Sequence, residues 1–244
     1  MKNKKISNIP HSKAMKEYLK NFDKLGYFEY LISEGSQEYI KRNSSFLETF
    51  EIETNTDREL LKFAQGAKAK SKFLMHFLRQ QFFIFHVHLF EYFLLNIIKE
   101  IFRANTETLR GSNKQISIAE IQAAIDKDKL TDLLIDTEMK DFGKGSYETI
   151  SKYLKTRFKI DLSASKIKDE KISEIFQMRH IIVHNNGIID KEFKNKIKDK
   201  KYVEGKKVYI GQTVLDRTRR SFMKIARYID SKYYDKYGLC LTLP

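Results

Sequence analysis

The chain has 244 residues and carries 46 Lys and Arg against 32 Asp and Glu, a formal net charge of +14. At that length one large domain or two small ones bury about 70% of the unfolded surface, so a real core is available. The charge excess favours a polyanion partner, nucleic acid ahead of an anionic membrane, although lysine-rich surfaces also arise from base composition alone.

The one cysteine, Cys240, excludes an internal disulfide and suits a reducing, cytoplasmic setting. The basic start Met1-Lys2-Asn3-Lys4-Lys5 lacks an apolar segment behind it, so no signal peptide is expected. The two prolines, Pro10 and Pro244, leave the interior free of helix breakers.

In chain order, Lys13 to Ser33 carries Met15, Tyr18, Leu19, Phe22 and Leu25 at helical spacing, with Ser12 as N-cap. A shorter helix is expected from Gln37 to about Phe50. The polar stretch Glu51 to Thr56 reads as a linker, which divides the chain into an N-terminal helical arm, 1–56, and a main helical domain, 57–244. From Asp57 to about Arg103 the helical pattern hardly pauses. Straight, that segment would measure about 70 Å, so a kink or break is expected, with a loosening at Gly66. Its most apolar run, Phe82 to Ile98, is interrupted by His86, His88, Glu91 and Asn96. It falls short of the roughly 20 apolar residues of a membrane span and reads as the buried central helix of a bundle, with no membrane partner.

Asn105 to Gln115 reads as a polar loop, and Ser117-x-x-Glu120 as a capping box for the next short helix. A helix over Leu130 to Lys140 follows, then the turn Gly143-Lys144-Gly145-Ser146, too short for a phosphate-binding loop. Ser146 is expected to cap a helix that carries Ile150, Tyr153, Leu154 and Phe158. Another helix is predicted from about Lys166 to Asn186, closed by a left-handed Gly187 with Ile188 folding back on Val183. Beyond it, Tyr202-Val203 and Val208-Tyr209-Ile210 flank Glu204-Gly205-Lys206 as a small β-hairpin. Val214 to Tyr234 closes the chain as an amphipathic helix with Leu215, Phe222, Ile225 and Ile229 inward. The fold class is therefore all-α, with a small C-terminal hairpin.

The chemistry gathers at the end of the helix before Gly187, where Arg179-His180-Ile181-Ile182-Val183-His184-Asn185-Asn186 puts a guanidinium, two imidazoles and two carboxamides together. His184 lies in the last turn, where unpaired carbonyls and the helix dipole favour an imidazolium. A fixed cation beside a titrating base suits phosphodiester cleavage in RNA, whose 2′-hydroxyl is a built-in nucleophile: histidine moves the proton and arginine neutralises the transition state, with no metal or cofactor. Arg179 and His184, five residues apart, point roughly 140° from each other on an ideal helix, so one phosphate meets both only if the helix distorts or two copies share a site.

Arg179 to His184 resembles the Arg-x4-His signature of the HEPN superfamily, helical proteins whose active members are metal-independent endoribonucleases. Asp141-Phe142-Gly143-Lys144-Gly145-Ser146 with its following helix, the Gly187-Ile188-Ile189-Asp190 exit and the closing hairpin plus helix look like the RiboL-PSP-type branch, over roughly Asp57 to Tyr237. The resemblance implies a HEPN-like bundle, a homodimer with two motif helices on one cleft, and an RNA substrate cut to 2′,3′-cyclic phosphate and 5′-hydroxyl ends. It also implies a toxin or anti-phage effector silenced by an antitoxin or other regulatory protein. Some toxins of this superfamily carry a tyrosine two residues after the motif histidine, which a partner enzyme modifies; Asn186 stands there, and that control is not expected. The alternative is a non-catalytic module in which the same helix binds RNA, nucleotide or protein.

Within this reading Arg179 and His184 are catalytic, His180 and Asn185 position substrate, and Glu91 orients Arg179 or a histidine if the central helix packs on the motif helix. His86 and His88 diverge on their helix and read first as polar groups in an aromatic core. Arg217, Arg220, Lys224 and Arg227 form a basic stripe, either a solvated face or a track for RNA phosphates. His180 and His184 have zinc-ligand spacing with Asp190 as the nearest third group, but Ile181 stands where a metalloprotease needs glutamate, so that chemistry is unsupported; no metal is assigned, and a structural metal site or a metal-dependent hydrolase on the two histidines is the lesser alternative.

Overall fold

A computed structural model of the chain describes residues 11–49, 55–111, 114–124, 127–140, 142, 147–165 and 169–237. In chain order these form α1 (Lys13–Thr49), α2 (Asn55–Ala104), a 3-10 turn (Thr106–Gly111), α3 (Ile118–Ala123), α4 (Lys127–Met139), α5 (Tyr147–Phe158), a second 3-10 turn (Leu162–Ser165), α6 (Asp169–His184), α7 (Lys191–Lys196) and α8 (Gln212–Tyr237). No strand forms among the described residues, and the fold is all-α.

The first two helices are longer and less interrupted than the sequence suggests. α1 passes through Glu34-Gly35-Ser36 without a break. An isolated glycine costs about 1 kcal/mol relative to alanine, less than the unfavourable nucleus needed to restart a helix, so propagation wins. α2 runs 50 residues, about 75 Å at 1.5 Å per residue, and the break expected in it is absent. Its neighbour α1 runs antiparallel: Glu100 accepts from the backbone N–H groups of Lys13 and Ala14, Tyr18 meets Phe93, Phe22 meets His86 and Phe28 meets Phe82. These contacts join residues 13–28 of α1 to residues 82–100 of α2.

The beginning of α1 is held from two sides. Ser12 caps it, its hydroxyl oxygen accepting from Met15 N–H at 3.0 Å. The buried Asp230 of α8 accepts from the Ser12 N–H at 3.1 Å and from its hydroxyl, and pairs with His11 at 2.7 Å. Ala14, Met15 and Tyr18 share the core with α2 and α8, so the first turns of α1 are packed against both.

α2 is the centre of that core. From Phe82 to Phe102 its buried residues, among them Phe83, Val87, Phe90, Leu94, Ile97, Ile98 and Ile101, recur mostly at three- and four-residue steps and so share one face, while Phe85, His88 and Tyr92 are exposed on the other. Phe90 stacks on Phe222 of α8 at 4.3 Å, Phe176 of α6 meets the same ring edge-on at 6.1 Å, and Phe102 meets Phe158 of α5 at 5.3 Å. Leu74–Ala104 is long and apolar enough to cross a membrane by composition, and half of its most apolar window is buried inside the fold. Leu215, Phe222, Ile225 and Ile229 of α8 all face inward, as their spacing requires.

Ser117 and Glu120 form the full capping box on α3. Asp141 and the turn Gly143-Lys144-Gly145-Ser146, with its expected Ser146 cap, lie outside the described residues. The charged stretch after Gly187 contains one more helix than its pattern suggests: α7, N-capped by Asp190, whose carboxylate accepts from Phe193 N–H at 2.8 Å. The expected hairpin is not made. The turn exists, with Lys206 N–H donating to Val203 O at 3.1 Å, but its second arm pairs elsewhere: Val208 N–H donates to Gly187 O, Ile189 N–H to Lys206 O and Gly205 N–H to Ile189 O. An isolated antiparallel bridge, Ile188 to Lys207, sits between these bonds. The segment leaving α6 has backbone groups that need partners, and 205–208 supplies them in place of 202–203.

Candidate functional site at the end of α6

α6 ends at His184, two residues before the predicted limit, and its exit differs from a simple glycine cap. Both Asn186 (φ 49°) and Gly187 (φ 75°) are left-handed. The carbonyl of Ile181 accepts from Asn185 N–H at 2.9 Å and from Gly187 N–H at 2.8 Å, and Asn185 O accepts from Ile188 N–H at 2.8 Å. This loop is one residue wider than a Schellman turn. Together with the 205–208 segment it holds the last turn of α6 in place and leaves His180 and His184 exposed, their rings 4.8 Å apart and tilted by 45°.

α6 lies antiparallel to α2. Glu91 is opposite Arg179, Phe90 reaches Phe176 through Phe222, and the Gln80 amide lies 3.8 Å from where a side chain on Gly187 would begin. Arg179 therefore points toward α2, while the two histidines face solvent. Its guanidinium is 3.9 Å from Glu91, with side chains 30% and 20% exposed. That separation is an ion pair without a hydrogen bond. The Arg179 Nε is buried and has no protein partner. Burial pushes the Glu91 carboxyl up from its ordinary range, against the opposing pull of Arg179 and then His88. The guanidinium is thus held loosely, with donors uncommitted.

Asn185 turns back on the exit, its side-chain N–H donating to Ile188 O at 2.8 Å and approaching Asp190 at 3.5 Å. Only its side-chain oxygen remains for a substrate. Asp190 serves α7, and among the described residues no group of three or more His, Cys, Asp or Glu is placed to hold a metal ion. His86 is a core residue, 3.5 Å from Glu29 and packed on Phe22; burial lowers its pKa, with Glu29 pulling the other way. His88 is exposed on the far side of α2 from His86.

The basic stripe of α8 divides in two. Arg217 turns inward to the buried Glu174, at 3.3 Å, beside Lys201 at 2.7 Å and the Tyr202 hydroxyl. Arg220, Lys224 and Arg227 line a groove of about 460 Å³ against α1, together with Arg219, which lies over Phe22 and pairs with Glu29 at 3.6 Å. The Glu174 cluster had no sequence signal, since its members come from three separate segments.

The chain matches no protein-family model, no curated protein and no solved structure.

Proposed function

We propose that the chain is a HEPN-like, metal-independent endoribonuclease that acts as a homodimer. The observation that carries this reading is the arrangement on α6: a loosely paired, partly exposed guanidinium at Arg179, followed within two turns by the solvent-facing rings of His180 and His184. His184 takes the proton from the ribose 2′-hydroxyl as its oxygen attacks phosphorus, and returns a proton to the departing 5′ oxygen. Arg179 neutralises the charge that builds on the phosphoryl oxygens. His180 and the free side-chain oxygen of Asn185 position the strand, and Glu91 sets the Arg179 side chain. The products are a 2′,3′-cyclic phosphate and a 5′-hydroxyl.

Arg179 faces α2 while His184 faces solvent, so a second copy of α6 supplies the missing half of the site. Exposed Val183 and Ile188 beside the histidines suit such a contact. The reading implies a cytoplasmic toxin or anti-phage effector kept silent by a partner protein until RNA is to be degraded. The test is incubation of the purified protein with end-labelled RNA in EDTA. Cleavage to cyclic-phosphate ends that disappears in His184→Ala and Arg179→Ala supports the reading, together with growth arrest on expression that Arg179→Ala relieves. Binding without cleavage by the wild type replaces it with the non-catalytic module, and cleavage abolished by EDTA replaces it with metal-dependent chemistry.

A further inference from the structure

Tyr209 is large, aromatic and 65% exposed, yet it is not loose. Its ring lies parallel to that of His76 on α2, with centroids 5.1 Å apart and planes within 3°. Its edge passes over Gly211, where a side chain would begin only 3.0 Å from the ring. The neighbours Val208 and Ile210 are buried and anchor the backbone on both sides. An exposed aromatic ring held in one orientation is a ready surface for stacking a flat ligand, because little side-chain freedom is lost when it binds.

The surroundings select which flat ligand. Tyr209 lines a groove of about 370 Å³ together with Lys206 and Lys207. Lys201 and Arg217, which also line it, are already matched by Glu174. Among the described residues the exposed side chains of Lys206 and Lys207 make no ion pair, so two cations stand uncommitted next to an open aromatic face. The ligand with a planar ring and an adjoining negative charge is a nucleotide.

Position ties this groove to α6. Val208, next to Tyr209, donates to Gly187 O at 2.8 Å, and the three residues from His184 to Gly187 cover at most about 11 Å. His76 and Gln80 are four apart on α2, hence on one face, and Gln80 is beside Gly187. A strand crossing the end of α6 therefore reaches Tyr209 within a few nucleotides.

We infer that Tyr209, backed by His76 and flanked by Lys206 and Lys207, is a base-stacking subsite that holds an unpaired nucleotide of single-stranded RNA beside the linkage to be cut. This rests on the nuclease reading for its substrate, and it adds that the substrate is single-stranded at that point. Bases inside a duplex already stack on each other and offer no free face to the ring.

The experiment measures binding of a fluorescent single-stranded oligoribonucleotide, and of a blunt RNA duplex, to His184→Ala protein, in which the strand is not consumed. Adding Tyr209→Ala should weaken single-strand binding about ten-fold or more, the range found when one base–aromatic stack is removed, and leave duplex binding unchanged. Tyr209→Phe should bind like the parent, and Lys206→Gln with Lys207→Gln should weaken binding and flatten its salt dependence. Unchanged single-strand affinity in Tyr209→Ala, or equal losses on both RNAs, overturns the subsite. Tyr209-dependent binding by a protein that never cleaves retains the subsite and removes the nuclease reading, whereas cleavage and binding indifferent to Tyr209 do the reverse.

Discussion

The guanidinium of Arg179 stands 3.9 Å from the carboxylate of Glu91, across the interface of α6 and α2. Burial raises the Glu91 pKa more than Arg179 lowers it, so the fold disfavours the ionised carboxylate. A raised folded pKa gives a stabilising contribution that is full below the ordinary carboxylate range and is lost as pH rises through the folded value. Glu91→Gln is therefore expected to match the wild type near pH 4 and to equal or exceed it, by up to about 1 kcal/mol, near neutrality. Denaturant midpoints across that range measure this. Under the proposed nuclease reading, cleavage by the same variant should fall about ten-fold or more, because a guanidinium displaced by 1 Å loses its alignment with phosphate. A variant both less stable and fully active would remove Glu91 as a positioning residue.

Glu174 presents the opposite sign. Its burial favours the neutral acid, but the hydrogen bonds from Lys201 and Tyr202 and the charge of Arg217 outweigh burial and hold its pKa below the usual value. Its contribution is present above the ordinary carboxylate pKa and is lost as pH falls through the depressed one. Glu174→Gln leaves Lys201 and Arg217 without their shared anion and should lower stability by about 2 kcal/mol at neutral pH. Urea titrations should show the gap between variant and wild type closing toward acid pH.

Gly187→Ala tests the exit of α6. Its neighbours leave room for a methyl, the nearest atom being Val208 Cγ1 at 3.7 Å, but its φ is +75°. Backbone strain rather than collision should lower stability by about 1 kcal/mol. The adjoining Asn186, also left-handed, is a residue type that tolerates this region, so Asn186→Gly should change the thermal midpoint far less.

The division of the α8 stripe predicts two different phenotypes. If the proposed RNA substrate runs along this groove, replacing Arg220, Lys224 and Arg227 together by Gln should reduce the slope of log affinity for single-stranded RNA against log salt by up to about 2, at about 0.7 per lost phosphate contact. Arg217→Gln should leave that slope nearly unchanged and lower stability instead, because its guanidinium is engaged with Glu174.

Local pattern foretold the parts of this fold that depend on neighbours in sequence. The α3 capping box, the Ser12 cap and the inward face of α8 follow from residues three and four apart, within reach of one another on any helix. The continuity of α1 and α2 was not readable in the same way, because Gly35 and Gly66 weaken a helix without deciding whether it stops. The hairpin expected from the sequence does not form for a related reason. Alternation in Val208-Tyr209-Ile210 shows that one face is buried, but it carries no information about which backbone pairs with it.

The sequence by itself determined an all-helical chain with an apolar centre from Phe82 to Phe102, a glycine exit after His184, and a cluster of cationic and titrating groups at that exit. These properties reside in side-chain type and short spacing, which act before any distant segment arrives. Only the tertiary structure decided that Arg179 faces Glu91, that Arg217 leaves its stripe for Glu174, and that Tyr209 lies on His76 beside the end of α6. Each of those pairs joins residues separated by tens of positions, and their meeting is set by the antiparallel packing of α2 and α6 and by the backbone bonds between 187–189 and 205–208.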